Sequence, residues 1–340
     1  MSPRLKKVED QVVVITGASS GIGLVTAKMA AARGARLILA ARNERDLRRT
    51  VDEIRRAGGR AVYATADVAD AEDVARVADT AVREYGRIDS WVNNAAVAVY
   101  GRLMDLSVSD MRRQFDVIYW GQVYGSRAAV PHLARQGGAL INVASALADR
   151  AIPLQGNYCA AKHALKAFTD SLRMELEEEG VPVSVTLIKP GSIDTPLFDK
   201  ARTLLDVEPQ PVPPVYAPEL VAQAILHCAE HPVRDLVVSG MGKVLSLAGT
   251  VAPRLTDRYM EWSTFQAQKS DLPLADARPD NLYDPVEHDG GERGRNWTGR
   301  VHARSYQTLA ALHPAGTAGL VGLLVAGGVI AMAGRRSAAP

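Results

Sequence analysis

The first 240 residues alternate short apolar runs with longer amphipathic stretches. The runs QVVVIT, RLILAAR, AVYATAD, SWVNNAA, GALINVA, VSVTLIKPG and RDLVVSG indicate seven strands. The stretches between them, such as Asp70–Tyr85 and Tyr158–Glu178, have the spacing of helices that bury one face. Strands this apolar suit a sheet that is covered on both faces. The pattern predicts an α/β fold of the doubly wound Rossmann type, with a mostly parallel seven-stranded sheet.

The last hundred residues follow a different pattern, which predicts a helical C-terminal extension. Residues 241–262 are apolar and helix-like, whereas residues 270–304 are rich in Pro, Gly, Asp and Arg, as in a linker. We therefore predict a catalytic domain over residues 1–240 and an extension over residues 241–314.

Residues 315–334 form an apolar segment of 20 residues without a charge, followed by Arg335 and Arg336. A helix of that length would span about 30 Å, the thickness of a hydrocarbon core. We predict a C-terminal membrane anchor here. The alternative is an apolar helix packed into an oligomer interface.

Composition narrows the class of protein. The chain has 340 residues, of which 47% are hydrophobic, and a net charge of +2 gives no support for nucleic-acid binding. Two cysteines without a C-x-x-C pair predict neither a disulfide scaffold nor a metal site, and they favour a reducing compartment. The N-terminus has no pattern typical of a signal peptide. The catalytic domain is therefore predicted to face the cytoplasm, with a soluble cytoplasmic protein as the alternative.

The segment VVVITGASSGIG places Gly17, Gly21 and Gly23 between the first strand and the following helix. Glycine permits the tight turn and the close approach of a ligand to the backbone. The helix N-terminus then offers free N–H groups and a positive dipole to a pyrophosphate. This arrangement predicts a dinucleotide site.

The end of the second strand predicts which dinucleotide binds. In dinucleotide-binding folds an acidic residue at this place contacts the ribose 2′-OH, whereas an arginine accommodates a 2′-phosphate. Here the strand closes with Ala40, Ala41 and Arg42, so the strand end itself carries no carboxylate to repel a phosphate. NADP(H) is therefore predicted, with NAD(H) as the alternative, because an arginine opening a surface helix is common and Ser20 adds no second positive charge to the glycine loop.

Ser145, Tyr158 and Lys162 are the candidate catalytic residues. Tyr158 and Lys162 stand at i and i+4, so they share one face of a helix. Ser145 ends the apolar run GALINVAS, and a strand end can converge with the following helix on one point.

Five motifs in this order resemble the short-chain dehydrogenase/reductase family over roughly residues 10–240. They are T-G-x-x-x-G-x-G at Thr16–Gly23, NNAA at Asn93–Ala96, Ser145, Tyr158-x-x-x-Lys162, and KPGSIDTP at Lys189–Pro196. The resemblance implies that Tyr158 is the general acid/base and that Ser145 hydrogen-bonds the substrate oxygen. It also implies that Lys162 lowers the Tyr158 pKa and binds the nicotinamide ribose.

The resemblance also assigns coenzyme contacts outside the glycine loop. Asp67 and Val68 correspond to the pair that contacts adenine, Asn94 and Ala95 to backbone packed against the coenzyme, and Pro190 to Thr195 to the segment beside the nicotinamide. The predicted coenzyme site comprises Gly17, Ser19, Ser20, Gly21, Ile22, Gly23, Arg42, Asp67, Val68, Asn94, Ala95, Tyr158, Lys162, Pro190, Gly191, Ile193 and Thr195.

One residue departs from the family pattern. Ile118 stands where the family usually has an asparagine that holds a water beside the lysine. Isoleucine has neither a donor nor an acceptor. Either Tyr119 or Gln122 takes over this role, or the proton path differs, or turnover is slow.

The loop after GSIDTP predicts a hydrophobic substrate. It contains Leu197, Phe198, Leu204 and Leu205 and five prolines between Pro209 and Pro218, which suit a stiff lid over an apolar mouth. A small hydrophobic carbonyl compound or alcohol is the predicted substrate.

The sequence leaves two alternatives to an enzyme that interconverts these groups. One is a catalytically weak NADP(H)-binding sensor or scaffold at a membrane, and the other is a membrane interaction protein supported by a dinucleotide fold. The resemblance further implies a homo-oligomer.

Overall fold

A computed structural model describes residues 3–240, 248–275 and 278–312 of the chain. Their strands are β1 Val12–Thr16, β2 Arg36–Ala41, β3 Arg60–Thr65, β4 Ser90–Asn93, β5 Val99–Tyr100, β6 Gly138–Val143, β7 Val183–Pro190, β8 Arg202–Thr203, β9 Val207–Pro209, β10 Val215–Tyr216, β11 Asp235–Val238, β12 Lys269–Pro273 and β13 Val301–His302. Their principal helices are α1 Gly21–Ala32, α2 Glu44–Arg56, α3 Ala71–Tyr85, α4 Val108–Phe115, α5 Gly121–Leu133, α6 Gly156–Glu178, α7 Pro218–Glu230, α8 Pro253–Ala267 and α9 Tyr306–Leu312. One turn of π-helix, Asp116–Trp120, joins α4 to α5, and 3-10 turns cover Val8–Asp10 and Ala146–Ala148.

Seven of the strands form one sheet in the order β11-β7-β6-β4-β1-β2-β3, and every neighbouring pair is parallel. The chain builds outward from β1 to β3 and then returns to lay β4 on the other side of β1. Ligands of such sheets bind at this reversal, beyond the carboxyl ends of the strands. The predicted doubly wound fold and its seven strands are confirmed.

Helices cover both faces of the sheet. Successive apolar side chains of each strand point to opposite faces, so both faces must be buried. Val13 and Ile15 of β1 pack into one apolar layer with α1, α2 and α7. Val12 and Val14 pack into the opposite layer with α3, α5 and α6. A sheet buried on both faces explains why the strands appear in the sequence as continuous apolar runs.

A chain of buried polar side chains connects the sheet to α6. Trp91 donates from Nε1 to Asn93 Oδ1 at 2.7 Å, and Asn93 donates from Nδ2 to Asn142 Oδ1 at 2.9 Å. Asn142 in turn donates to Thr169 Oγ1 at 3.0 Å. This chain ties β4 and β6 to the helix that carries Tyr158.

The extension packs against the catalytic fold, in contrast to the linker that its composition indicates. Arg278 donates to the carboxylate of Glu208 and to the carbonyl oxygens of Phe198 and Asp199. Residues 278–291, which we call the C-terminal strap, then cross to α2 and α1. The division of the chain into domains stays a prediction.

No helix among residues 3–240, 248–275 and 278–312 is long and apolar enough to cross a membrane. The predicted anchor at residues 315–334 lies outside these residues, so membrane attachment stays a prediction.

Candidate active site

The glycine loop is shaped by its three glycines and by Asn94. Gly17 and Gly21 have φ of +66° and +53°, which favour glycine. A Cβ on Gly23 would lie 2.2 Å from the carbonyl oxygen of Gly17, so only glycine fits there. Asn94 donates from Nδ2 to Thr16 O at 3.0 Å and to Gly17 O at 3.3 Å, which fixes the loop from behind. The first-turn N–H groups of Ile22 and Gly23 have no acceptor within the helix, as a pyrophosphate requires.

Ser145, Tyr158 and Lys162 converge at the carboxyl edge of the sheet, as predicted. Ser145 follows β6 and accepts a hydrogen bond from the N–H of Leu147 at 3.1 Å. Lys162 lies one turn after Tyr158 on α6, with Nζ 5.6 Å from the centre of the Tyr158 ring. Lys162 Nζ donates to the carbonyl oxygen of Val143 at 2.8 Å. All three side chains are buried and line one cleft together with the glycine loop.

Burial is the main influence on the pKa values of Tyr158 and Lys162. It raises the pKa of the Tyr158 phenol well above the ordinary value, and interaction with the Ser145 hydroxyl opposes this rise. It also lowers the pKa of the Lys162 ammonium to about 7. The family resemblance implies that Lys162 lowers the Tyr158 pKa, but desolvation of the phenol is the largest influence on that pKa in this structure.

Ile118 fills an apolar contact instead of a polar one. It lies in the π-helical turn, is 0% exposed, and packs against Tyr158 and Ala161. Gln122, one turn further on, donates from Nε2 to the Val143 carbonyl oxygen at 3.1 Å, the same oxygen that Lys162 contacts. Gln122 Oε1 is buried without a hydrogen-bond partner among the described residues. Of the two neighbours considered from the sequence, Gln122 is therefore the one that shares an acceptor with the lysine.

We expect Ile118→Asn to destabilise the protein without raising its turnover. The amide would replace apolar packing against Tyr158 and Ala161 and bring polar atoms into a fully buried position, at a cost on the order of 3 kcal/mol. Ile118→Val, the control, removes one methylene and should cost about 1 kcal/mol. Denaturant unfolding and steady-state rates measure both variants, and faster turnover in Ile118→Asn at unchanged stability would contradict the expectation.

Arg42 lies at the other end of the cleft, beneath the C-terminal strap. Its guanidinium donates to the carbonyl oxygen of Tyr283 at 2.6 Å and to that of Asn281. The strap also accepts the N–H of Gly21 at 2.8 Å through the Gly291 carbonyl oxygen. The strap thus joins the two sides of the predicted adenosine end, Arg42 and the glycine loop.

Asp67, predicted to contact adenine, lies beside the strap as well. Its carboxylate pairs with Arg113, and Arg113 Nε donates to the Leu282 carbonyl oxygen at 2.9 Å. Leu282 is 0% exposed and packs into the apolar layer that contains Val68. The strap is therefore a structural part of this end of the cleft.

The structure brings nearly all of the sequence-predicted residues to one cleft. Those that line it are Gly17, Ser19, Ser20, Gly21, Ile22, Arg42, Asp67, Val68, Asn94, Ala95, Ser145, Tyr158, Lys162, Pro190, Gly191, Ile193 and Thr195. Gly23 does not line it and supports the loop from behind. Residues of the extension that the sequence did not predict also line the cleft, namely Met260, Thr264, Asn281, Pro285 and Asp289. No local motif marks them.

The end of the cleft beyond Tyr158 is mainly apolar. Leu147, Ile152, Leu197, Phe198 and Met260 line it. Met260 comes from α8, so the extension contributes to this apolar lining as well as to the part of the cleft beside Arg42.

The fold and the site define a dinucleotide-dependent oxidoreductase: a glycine loop at the reversal of a parallel sheet, facing a serine, a tyrosine and a lysine. A family model described as short chain dehydrogenase matches residues 11–205. The chain belongs to the short-chain dehydrogenase family and is an NAD(P)-dependent oxidoreductase acting on alcohol or carbonyl groups.

Three known proteins show how far the likeness extends. The uncharacterized oxidoreductase YxnA of Bacillus subtilis (strain 168) is 49% identical over 328 residues, which cover 95% of this chain and 91% of that protein. The alcohol dehydrogenase of the archaeon Thermococcus sibiricus, complexed with 5-hydroxy-NADP, superposes with a TM-score of 0.59 at 27% identity, over 67% of this chain and 95% of that one. A short-chain dehydrogenase/reductase of Burkholderia phymatum in complex with NAD gives a TM-score of 0.64 at 26% identity, over 80% of this chain and 100% of that one.

Proposed function

We propose that this protein is an NADP(H)-dependent reductase or dehydrogenase that interconverts a carbonyl and an alcohol on a hydrophobic small molecule. One observation carries the proposal: a single cleft has Arg42 at one end, Ser145 with Tyr158 in the middle, and an apolar wall at the other end. The first feature favours a 2′-phosphate, the second a carbonyl oxygen, and the third a hydrophobic substrate.

The residues divide the work of the reaction as follows. When bound, the nicotinamide coenzyme supplies a hydride in reduction and accepts one in oxidation. Tyr158 donates its phenolic proton to the substrate oxygen in reduction and takes it back in oxidation. Ser145 donates a hydrogen bond to the same oxygen and stabilises the negative charge that develops there. Lys162 holds a positive charge beside the phenol and would bind the nicotinamide ribose of the coenzyme.

The coenzyme preference rests on Arg42. Its guanidinium has five N–H donors in a plane, and the two strap carbonyl oxygens leave donors that can face a phosphate in the cleft. An arginine with its charge held in place by neighbours favours a dianionic group over a hydroxyl.

The substrate class rests on the lining of the far end. Leu197 and Phe198, from the loop after GSIDTP, lie there with Met260 of α8. Apolar surface buried by a ligand contributes about 25 cal/mol per Å², which favours a hydrophobic compound over a polar one. Assembly into a homo-oligomer stays a prediction.

The direct test is coenzyme consumption with a panel of hydrophobic ketones and aldehydes. We expect kcat/KM for NADPH to exceed that for NADH by about tenfold or more, because a charge-assisted hydrogen bond contributes roughly 1.5–3 kcal/mol. Arg42→Met should reduce this preference by weakening NADPH use more than NADH use. Arg45→Met, which removes an exposed arginine of α2, is the control.

Three other results would count against parts of the proposal. Equal use of both coenzymes by the wild-type protein would reject the NADP(H) preference. Tight coenzyme binding without turnover of any substrate in either direction would favour the sensor alternative. Failure to bind either coenzyme would reject the assignment of the glycine loop.

A further inference from the structure

A buried ion pair lies between the glycine loop and the C-terminal strap. Lys200 donates from Nζ to Asp289 Oδ1 at 2.9 Å and to Ser20 Oγ at 2.9 Å. Lys200 is 8% exposed and Asp289 is 6% exposed. Burying two charges costs desolvation that their attraction does not reliably offset, so such a pair is weak evidence for a role in stability alone.

The pair spans the two elements that flank the coenzyme ribose. Ser20 precedes α1 in the glycine loop, and the N–H of Asp289 donates to Asp46 Oδ2 at 2.7 Å in the first turn of α2. In dinucleotide-binding folds the adenosine ribose lies between the glycine loop and the end of the second strand. Lys200 is therefore a second cation on this side of the cleft, in addition to Arg42.

Two polar groups at this place in the cleft, the Lys200 ammonium and the Asn281 amide, point to a bound ligand. An ammonium has three N–H donors, and Ser20 and Asp289 take two of those of Lys200, which itself lines the cleft. Asn281 of the strap also lines the cleft, and its Oδ1 is buried with no hydrogen-bond partner among the described residues. Buried polar atoms without partners are uncommon and require an explanation such as a bound group.

We propose that Lys200, held against Ser20 by Asp289 of the strap, is a coenzyme-binding residue that contacts the phosphate on the adenosine ribose. This inference rests on the proposed preference for NADP(H). The glycine loop has the uncharged Ser20 and no basic residue of its own at this position. Lys200, which contacts Ser20, places a positive charge there instead. Asp289 has two effects, since it orients the ammonium and also places a negative charge near the phosphate.

The two residues are therefore expected to have opposite effects on binding. Lys200→Met should weaken the Kd for NADPH by about tenfold or more and change the Kd for NADH less than about twofold. Asp289→Asn keeps an oxygen acceptor for Lys200 and removes the negative charge, so it should tighten NADPH binding by about threefold and leave NADH unchanged. Titration of coenzyme fluorescence measures both constants without any turnover.

Two further variants keep the test decisive. Lys200→Met alone leaves a buried carboxylate unpaired, so the double variant Lys200→Met with Asp289→Asn removes both charges and protects against a folding defect. It should still bind NADPH more weakly than Asp289→Asn alone. Lys269→Met, which breaks the ion pair with Asp206 outside the cleft lining, is the matched control and should change neither constant.

The outcomes separate this inference from the proposed function. Equal weakening of NADPH and NADH in Lys200→Met would place the ammonium at a group that both coenzymes share, such as the pyrophosphate, and would overturn the inference. No change in either constant would overturn it as well. Both results leave the NADP(H) preference intact if the wild-type protein still favours NADPH. A wild-type protein without that preference rejects the proposed coenzyme directly.

Discussion

Tyr158→Phe is expected to lower kcat by about 10²–10⁴-fold, the usual contribution of a positioned general acid or base. The substitution removes only the hydroxyl, from a ring that is 8% exposed and packs against Ile118 and Ala161. Ring packing and the position of α6 should therefore persist. The Kd of the coenzyme should change little, because the glycine loop and the adenosine end are untouched.

Steady-state rates and coenzyme titration on the same preparation test this prediction. Tyr124→Phe is the control, since Tyr124 stacks on Trp120 and does not line the cleft. A Tyr158→Phe enzyme that retains more than about a tenth of the wild-type kcat would show that another group transfers the proton.

Turnover should also depend on pH through Lys162. Because burial lowers the pKa of the Lys162 ammonium to about 7, the side chain carries its charge below that pH and loses it above. The charge assists the neighbouring phenol and the ribose contact. We therefore expect kcat/KM for NADPH, which reports the free enzyme, to fall by about tenfold for each pH unit above 7.

Lys162→Arg tests the origin of this decrease. A guanidinium stays protonated over the whole range, so the variant should be slower than the wild type at pH 6 yet lack the fall above pH 7. A decrease at the same pH in Lys162→Arg would assign it to a different group.

The strands could be predicted from the sequence because they are apolar on both faces, but their carboxyl ends could not. The run SWVNNAA predicts a strand through Ala96, whereas β4 ends at Asn93. Asn94 leaves the sheet because its side chain and its N–H bond Thr16 and the glycine loop. Asn94, Ala95 and Ala96 continue the run of this strand in the sequence, but in the structure they lie beyond its end and line the cleft.

The catalytic residues and the glycine loop could be predicted because each motif is local. The residues around the predicted adenosine end of the cleft could not be predicted in the same way. The sequence after β2 contains no acidic residue directly beside Arg42, yet the fold brings Asp289 to the same cleft from the far end of the chain. The raised pKa of Tyr158 could not be predicted from the sequence either, because it depends on how completely the folded protein desolvates the phenol.

The buried chain from Trp91 through Asn93 and Asn142 to Thr169 has a consequence for catalysis. Within this chain, the bond from Asn142 Nδ2 to Thr169 Oγ1 is the link that crosses from the sheet to α6. If α6 slid by one residue along the sheet, this buried amide would lose its partner, at a cost of about 1–3 kcal/mol. The bond therefore favours one alignment of helix and sheet. The height of Tyr158 and Lys162 above the strands is therefore set before any ligand arrives, and the site is preorganised by hydrogen bonds that never touch a substrate.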